Sequence, residues 1–300
     1  MISVIIPLYN KEKHIANTLQ TVFAQTFQDF EIVIIDDGST DDSVEKVNEI
    51  KDSRIRLIHQ ENAGVSAARN KGIAEARHDY IAFLDADDEW KPEYLEKQID
   101  LIHRFPECQV YACAYELKAK EKITPISLNK ILFQDEKGIL TNYFEVASCS
   151  HPPLWTSAVV LKKEAIQSIG GFPVGIKAGE DLLTWSRLAV KYKIAYNKKP
   201  LASFVLDNSS SKPRRDPATK DVVGEKLKEL YQNYSQEKGL KQYISLWHKM
   251  RASIYLRLNE RKQALVEIQK ALCYNPFNMK LYIYLLLVFA PAVAHQKILN

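Results

Sequence analysis

Short apolar runs alternate with amphipathic segments along the first two thirds of the chain. Continuous runs rich in β-branched and aromatic residues are typical of strands that are buried on both faces. Between these runs, apolar residues recur at helical spacing, as in Ile15, Leu19 and Val22. The alternation predicts a mostly parallel sheet covered by helices on both sides. The predicted strands are 3–8, 30–35, 55–59, 80–84, 110–117, 154–161, 192–196 and 202–206.

The rest of the chain gives weaker signals. Residues 118–150 are predicted to be irregular, and 207–219, with three serines, two prolines and two adjacent arginines, to be a linker or mobile loop. From residue 220 onward the composition is helical. Segments 257–264 and 271–277 are similar to a helix hairpin of the tetratricopeptide kind, and 279–290 is a nearly all-apolar last helix.

The sign of the net charge also changes near residue 212, at the predicted linker. Residues 212–300 carry 16 basic and 7 acidic side chains, a net charge of +9, whereas the remainder carries 25 and 30, a net charge of −5. We therefore expect a globular domain over 1–211 and a helical region over 212–300. The basic and apolar end of the helical region can lie in a membrane interface, pack on the globular domain or pack on a second subunit. The sequence pattern does not distinguish among these three positions.

Four cysteines without a C-x-x-C pair argue against a zinc site or a disulfide framework and favour a reducing compartment. The N-terminus lacks a basic region and meets Pro7 after six residues, so it reads as a first strand and not as a signal peptide. No apolar run reaches the roughly 18 residues of a membrane span. These features predict a cytoplasmic protein, either free or peripheral on the cytoplasmic face of the membrane.

Candidate chemistry concentrates after the fourth predicted strand, where Asp85, Asp87 and Asp88 fall within four residues. Asp85 and Asp87 are two apart, so in extended geometry their side chains point to the same side. There they can bind a hard divalent cation such as Mg²⁺ or Mn²⁺, which prefers carboxylate and phosphate oxygens. A solvated acidic turn is the alternative reading of this triplet.

Similar polar clusters follow the other early strands. In open parallel sheets, ligands bind at the carboxyl ends of the strands, and four polar clusters meet at this edge. A further acidic pair, Glu180 and Asp181, lies in the first turn of a predicted helix, where acidic residues also simply favour the helix dipole. The four clusters are 7–10, 36–43, 62–69 and 85–88.

Five motifs in this order resemble those of the family 2 inverting glycosyltransferases of GT-A fold, over roughly residues 1 to 205. The resemblance implies a Rossmann-like, mostly parallel sheet flanked by helices, with an α-helical C-terminal extension outside the match. It also implies a nucleotide-sugar donor, usually a UDP-sugar, bound at the carboxyl edge of the sheet. The motifs are Ser3 to Asn10, Asp36-Asp37-Gly38-Ser39, Asn62 to Asn70, Phe83 to Asp88 and Gly179-Glu180-Asp181.

The resemblance also assigns roles to donor-binding residues. Pro7 and Tyr9 are expected to line the nucleoside pocket, and Asp37 to accept a hydrogen bond from the uracil imide. Asn62 and Arg69 match positions that contact the base and the diphosphate region. This chain has no basic residue near Gly64, where some relatives have one, so phosphate neutralisation is expected to rest on the metal and Arg69.

For the chemistry, the resemblance implies Asp87 as the direct metal ligand and Asp85 as an aid to the metal or the ribose. The divalent ion, Mn²⁺ or Mg²⁺, would stabilise the charge on the leaving UDP. Asp181 is expected to be the general base that deprotonates the acceptor hydroxyl, with Glu180 as its rival. The acceptor is expected to be a surface polysaccharide or a lipid-linked glycan, and no nucleic-acid partner is expected.

Two other readings remain open. A nucleotide-sugar-binding scaffold that lost catalysis, with a tail that recruits partners, is disfavoured because Asp87 and Asp181 are both present. A polyprenyl-phosphate sugar synthase is disfavoured by the absence of membrane spans. Nucleotidyltransferases and dinucleotide-binding oxidoreductases are disfavoured as well, because no G-x-G-x-x-G follows the first strand.

Overall fold

A computed structural model describes residues 1–120, 122–206, 217 and 220–290. The predicted linker at 207–219 therefore lies almost entirely outside the described residues. Within them, ten strands form a single sheet. The strands are β1 (Ile2–Leu8), β2 (Phe30–Asp36), β3 (Ile55–His59), β4 (Tyr80–Phe83), β5 (Glu89–Trp90), β6 (Val110–Ala119), β7 (Lys122–Pro125), β8 (Lys137–Ile139), β9 (Val159–Lys162) and β10 (Ile194–Val205). Their order in the sheet is β3-β2-β1-β4-β9-β6-β10-β5, with β7 paired to β6 and β8 paired to β10.

Helices cover both faces of this sheet and continue beyond it. The helices are α1 (Ile15–Phe23), α2 (Ser43–Glu49), α3 (Val65–Glu75), α4 (Tyr94–Arg104), α5 (Tyr143–Cys149), α6 (Lys163–Ser168), α7 (Glu180–Ala189), α8 (Val222–Asn233), α9 (Leu240–Arg257), α10 (Arg261–Tyr274) and α11 (Met279–Phe289).

The first four strands are parallel neighbours, as predicted. Their uniformly apolar sequence follows from burial on both faces. In β1, Val4 and Ile6 pack into one core, whereas Ile5 packs into the core on the opposite face. The second half of the sheet is mixed, because β9 pairs antiparallel with both β4 and β6. The parallel half brings the ends of β1, β2, β3 and β4 to one edge.

Three local predictions are wrong. Residues 118–150 are not wholly irregular, since they contain β7, β8 and α5. The two strands at 192–196 and 202–206 are one strand, β10, whose register against β6 shifts around Pro200. The polar residues there interrupt the apolar pattern without ending the strand. The start of the strand predicted at 154–161 is instead a short 3-10 helix, Thr156–Ala158, before β9.

The C-terminal helices pack against α7, the helix that begins with Glu180. Tyr243 and Trp247 of α9 lie in the same hydrophobic cluster as Leu183 and Trp185 of α7. The predicted hairpin is present as α9 and α10, with its turn at Asn259. The helical region therefore contributes to the core beneath the acidic end of α7.

The last helix, α11, covers α9 and α10 with only one of its faces. Leu281, Leu287 and Val288 are buried, whereas Leu286 and Phe289 are about three-quarters exposed, at 73% and 74%. In the part of the chain that the structure describes, no helix combines the length and apolar character required to cross a bilayer.

Candidate active site

The carboxylate of Asp37, directly after β2, links two loops of the site. Asp37 is buried, and its Oδ1 accepts hydrogen bonds from Gln60 Nε2 (2.7 Å) and the Ala63 N–H (2.9 Å). Its Oδ2 accepts from the N–H of Gly64 (2.8 Å). Because Gly64 is the N-cap of α3, this carboxylate fixes the approach to that helix as well as the loop after β3. A uracil imide N–H would donate to a lone pair of the Asp37 carboxylate that these three hydrogen bonds do not use.

The other predicted nucleoside contacts lie around this loop with different degrees of exposure. Pro7 is buried within β1, Tyr9 is 47% exposed, and Asn62 is exposed. Asn10 is not the N-cap of the helix that follows β1. It adopts a left-handed backbone (φ 51°), and its side-chain oxygen accepts from the Thr40 N–H (2.8 Å). This hydrogen bond therefore joins the loops after β1 and β2, beside the exposed ring of Tyr9.

Arg69 of α3 is the centre of the acidic end of the site. Its side chain lies over the ring of Phe172, with its guanidinium carbon 5.1 Å from the ring centroid, and the residue is only 4% exposed. Nη2 donates to Oδ1 of Asp85 (2.7 Å), and Nη1 lies 4.0 Å from Oε1 of Glu180. Burial disfavours its charge, but Asp85, Glu180 and Asp181 outweigh that cost and raise the pKa of Arg69. One cation thus joins the acidic turn after β4 to the start of α7.

The three aspartates after β4 have three different environments. Asp85 pairs with Arg69, and Asp87 pairs with the ammonium of Lys11. Asp88 turns into the protein, where Oδ2 accepts from Ser157 Oγ (2.5 Å) and Trp155 Nε1 (3.2 Å). Of these three aspartates, only Asp85 and Asp87 therefore present a carboxylate to the edge of the sheet.

Burial and the charges of Asp85 and Asp87 raise the pKa of Asp88 to about 8, against the opposing hydrogen bonds from Ser157 and Trp155. Between pH 4 and pH 8 the native state therefore keeps a proton that the unfolded chain releases, so the free energy of unfolding falls as pH rises. Replacing Asp88 by Asn removes this dependence. We expect the stability difference, wild type minus Asp88→Asn, to decrease by up to about 1.4 kcal/mol per pH unit over that window. Urea unfolding at several pH values in EDTA measures it, and a difference independent of pH would contradict a protonated Asp88.

Asp181, the predicted base, lies in the first turn of α7. Its Oδ1 accepts from the N–H of Leu182 (2.7 Å). Burial, with a smaller contribution from Asp85, raises the pKa of Asp181, while Arg69 and the backbone hydrogen bonds lower it. A carboxylate with a raised pKa is a stronger proton acceptor, which suits a general base at neutral pH. Glu180, the residue before Asp181, lies 4.0 Å from Arg69, which bonds to Asp85, so the predicted base and the acidic turn are close in space.

The turn before Asp181 depends on a glycine and on the C-terminal helices. Gly179 has φ 84°, and a Cβ there would lie 2.7 Å from the ring of Trp247. Trp247 is itself held by a hydrogen bond from Nε1 to Oδ1 of Asp221 (3.0 Å). The chain therefore enters α7 through a space that only glycine fits.

We expect Gly179→Ala to cost about 1–2 kcal/mol for the left-handed backbone and about 1–3 kcal/mol more for the contact with Trp247. Gly175→Ala in the same loop is the matched control, because Gly175 has φ 80° but nothing within 4 Å of its Cβ position. Chemical denaturation of both variants isolates the contact, and equal losses would show that Trp247 does not constrain this turn.

The donor set of Asp85 and Asp87 fits a hard divalent cation, because both offer carboxylate oxygens at a partly exposed edge (side chains 24% and 16% exposed). A second cluster with metal-ligand character, Asp221, His248 and Glu267, lies among α8, α9 and α10 instead. There Arg251 Nε lies 3.5 Å from Asp221 and 3.4 Å from Glu267, so that cluster is already charge-compensated by protein.

Sequence reasoning missed several residues of this site. Lys11 beside Asp87, Gln60 on Asp37, and Ser157, which accepts from the Asp85 N–H (3.1 Å), carry no motif. A lysine that directly follows the Tyr9-Asn10 motif was the only available signal. The contacts of Gln60 and Ser157 arise from tertiary packing.

The chain is similar to known glycosyltransferases. Over 225 residues the chain is 32% identical to the "Putative teichuronic acid biosynthesis glycosyltransferase TuaG" of Bacillus subtilis, an alignment that covers 73% of this chain and 84% of that protein. It is also 32% identical over 212 residues to a glycosyltransferase of Rickettsia conorii, but there the alignment spans only 33% of the longer protein.

Among solved structures, Staphylococcus aureus TarS 1–349 in complex with UDP-GlcNAc superposes with a TM-score of 0.70 at 17% identity, over 91% of this chain and 81% of that one. This likeness confirms the predicted GT-A fold with its helical C-terminal region. The profile of the family described as "Glycosyl transferase family 2" matches residues 3–164. That match covers more than half of the chain, which therefore belongs to glycosyl transferase family 2.

Proposed function

We propose that the protein is a metal-dependent inverting glycosyltransferase that moves a sugar from a UDP-sugar to a hydroxyl group of a surface polysaccharide or lipid-linked acceptor. The observation that carries this proposal is the position of Arg69, which bonds to Asp85 at 2.7 Å and lies 4.0 Å from Glu180. That contact brings the predicted donor-binding turn next to the predicted base.

The donor end of the site is built by the loops after the parallel strands. Tyr9 offers an exposed ring on which a base can stack, and Pro7 lies buried in β1 two residues before it. Asp37 supplies an acceptor beside the exposed Asn62 and favours uracil, whose imide N–H neutral cytosine lacks. The UDP-GlcNAc complex of TarS supports a UDP-sugar as the donor.

Asp87 and Asp85 would hold the divalent cation, Mn²⁺ or Mg²⁺. When bound, the cation would neutralise the negative charge that develops on the departing UDP. The protein's own contribution at this end is Arg69, a buried cation held rigidly by Asp85 and Phe172. A cation fixed in advance stabilises developing charge without reorganising during the reaction.

At the acceptor end, Asp181 takes the proton from the attacking hydroxyl. The oxygen then forms a bond to the anomeric carbon on the face opposite UDP, the bond to the diphosphate breaks, and the configuration is inverted. Glu180, next to it, faces Arg69 at 4.0 Å and is better placed to balance that charge. One catalytic carboxylate is sufficient because the leaving group departs as a stabilised anion.

The acceptor class rests on the name of the TuaG relative, which points to a cell-envelope polymer. The exposed apolar residues of α11, with the basic character of residues 212–300, support contact with an anionic membrane surface or a second copy of the chain. Flotation with anionic liposomes tests the membrane contact, and protein that stays at the bottom of the gradient would remove it.

A donor screen tests the proposal directly. UDP release from a panel of nucleotide sugars is measured with Mn²⁺ and with EDTA, and we expect cleavage of at least one UDP-sugar only when the metal is present. Binding of a UDP-sugar without any transfer or hydrolysis would favour the inactive scaffold. Failure to bind or cleave any nucleoside diphosphate sugar would overturn the enzymatic proposal.

A further inference from the structure

Lys11 occupies a defined position beside the acidic turn. Its backbone N–H donates to Oγ of Ser43 (2.7 Å), and Asn10 before it is fixed by its contact with Thr40. The main chain of Lys11 is therefore held between the loops after β1 and β2. Only its side chain is left to move.

The ammonium of Lys11 forms an ion pair with Oδ2 of Asp87, the residue expected to bind the divalent cation. The Lys11 side chain is 31% exposed and that of Asp87 is 16% exposed. The pair thus lies at the surface of the site, where a competing ion from solvent can reach it. A monovalent protein cation here holds the carboxylate that the metal would need.

The two cations of the site differ in their freedom. Arg69 is 4% exposed, packed on Phe172 and shared between Asp85 and Glu180, so it cannot leave its partners without exposing buried charge. Lys11 carries its charge on a flexible four-carbon stem and, among the residues that the structure describes, pairs with the carboxylate of Asp87. Of the two, Lys11 is the cation able to exchange.

We propose that Lys11 is an exchangeable counter-ion. It neutralises Asp87 in the metal-free site, gives up that carboxylate when a divalent cation binds, and then donates to the diphosphate of the donor. The inference rests on the proposed nucleotide-sugar site and deepens it. It also supplies a basic residue for the diphosphate in a chain that has none near Gly64.

Two opposite effects follow when the ammonium is removed. Without Lys11 the divalent cation no longer competes with a protein cation, so Mn²⁺ alone binds more tightly. Because ion pairs at exposed positions are weak, the gain is about two- to fivefold. The diphosphate, in contrast, loses a charged donor, so UDP binds about tenfold more weakly at saturating Mn²⁺.

The experiment compares wild type with Lys11→Met, and with Lys11→Gln as a second neutral variant in case the first does not fold. Lys13→Met is the matched control, because Lys13 is exposed and its replacement changes the net charge equally. Free Mn²⁺ is followed by electron paramagnetic resonance without nucleotide. UDP binding is then measured by calorimetry with Mn²⁺ in excess.

We expect tighter Mn²⁺ and weaker UDP binding in the Lys11 variants, and wild-type values in Lys13→Met. If either dissociation constant is unchanged in the Lys11 variants, or if Mn²⁺ binds more weakly, the proposal is overturned while the proposed function stands. A wild-type protein that binds neither Mn²⁺ nor UDP overturns both.

Discussion

Asp181→Asn is expected to lower kcat by about two to four orders of magnitude, the usual contribution of a general base. Asn has nearly the same shape and can still accept from the N–H of Leu182, so the start of α7 should be preserved. UDP affinity should therefore stay close to that of wild type. Initial rates of transfer, with UDP binding measured by calorimetry, separate the loss of proton transfer from a loss of donor binding.

Glu180→Gln is the matched control for that variant, because it removes the neighbouring carboxylate from the same helical turn. Glu180 lies near Arg69, so its loss should change the charge balance but leave the proton acceptor in place. We expect a reduction of about tenfold or less, on the scale of a screened charge contact. If Glu180→Gln were inactive and Asp181→Asn active, the roles would be reversed.

Arg69→Met is expected to have the second large effect. Methionine fills the space over Phe172 but leaves Asp85, Glu180 and Asp181 without their shared cation. Breaking a buried pair costs about 3–5 kcal/mol, and we expect the lower end of this range because the Asp85 side chain is 24% exposed. Urea unfolding at neutral pH measures the loss. It should shrink at acidic pH, where the carboxylates become protonated.

The same variant tests the coupling of Arg69 to the base. Because Arg69 lowers the pKa of Asp181, its removal should raise that pKa further. The acidic limb of the kcat/KM profile should then shift to higher pH, as more alkali is needed to ionise the base. Arg69→Lys, which keeps a charge but loses the forked geometry, should show a smaller shift. An unchanged limb would mean that Asp181 is not the group that titrates.

The parallel half of the fold was predictable because its strands are apolar throughout and its loops carry polar clusters. Burial on both faces leaves a continuous signal in 3–8 and 30–35, and these became β1 and β2. The region from 118 to 150 was not predictable, since its strands are short or exposed and β7 is exposed at all four positions. Local pattern contains little information about strands that tertiary pairing defines.

For the site, motif order and the family resemblance point to Asp85, Asp87 and Asp181, but they do not identify the partners of these residues. The three aspartates after β4 have equivalent patterns in sequence, yet Asp88 is buried against Ser157 and Trp155. Which carboxylate turns inward depends on the 3-10 helix Thr156–Ala158 and the residue before it, far along the chain. The contact of Trp247 with the turn before Asp181 likewise joins two regions that the composition had separated.

A divalent cation is expected to bind at the acidic turn after β4, beside Asp181. Crystals soaked with UDP and Mn²⁺, examined by anomalous scattering at the manganese edge, test it most directly. We expect one strong peak in contact with Asp87, with the uracil beside Asp37. A manganese peak at Asp221, His248 and Glu267 instead, or UDP bound away from this edge of the sheet, would contradict it.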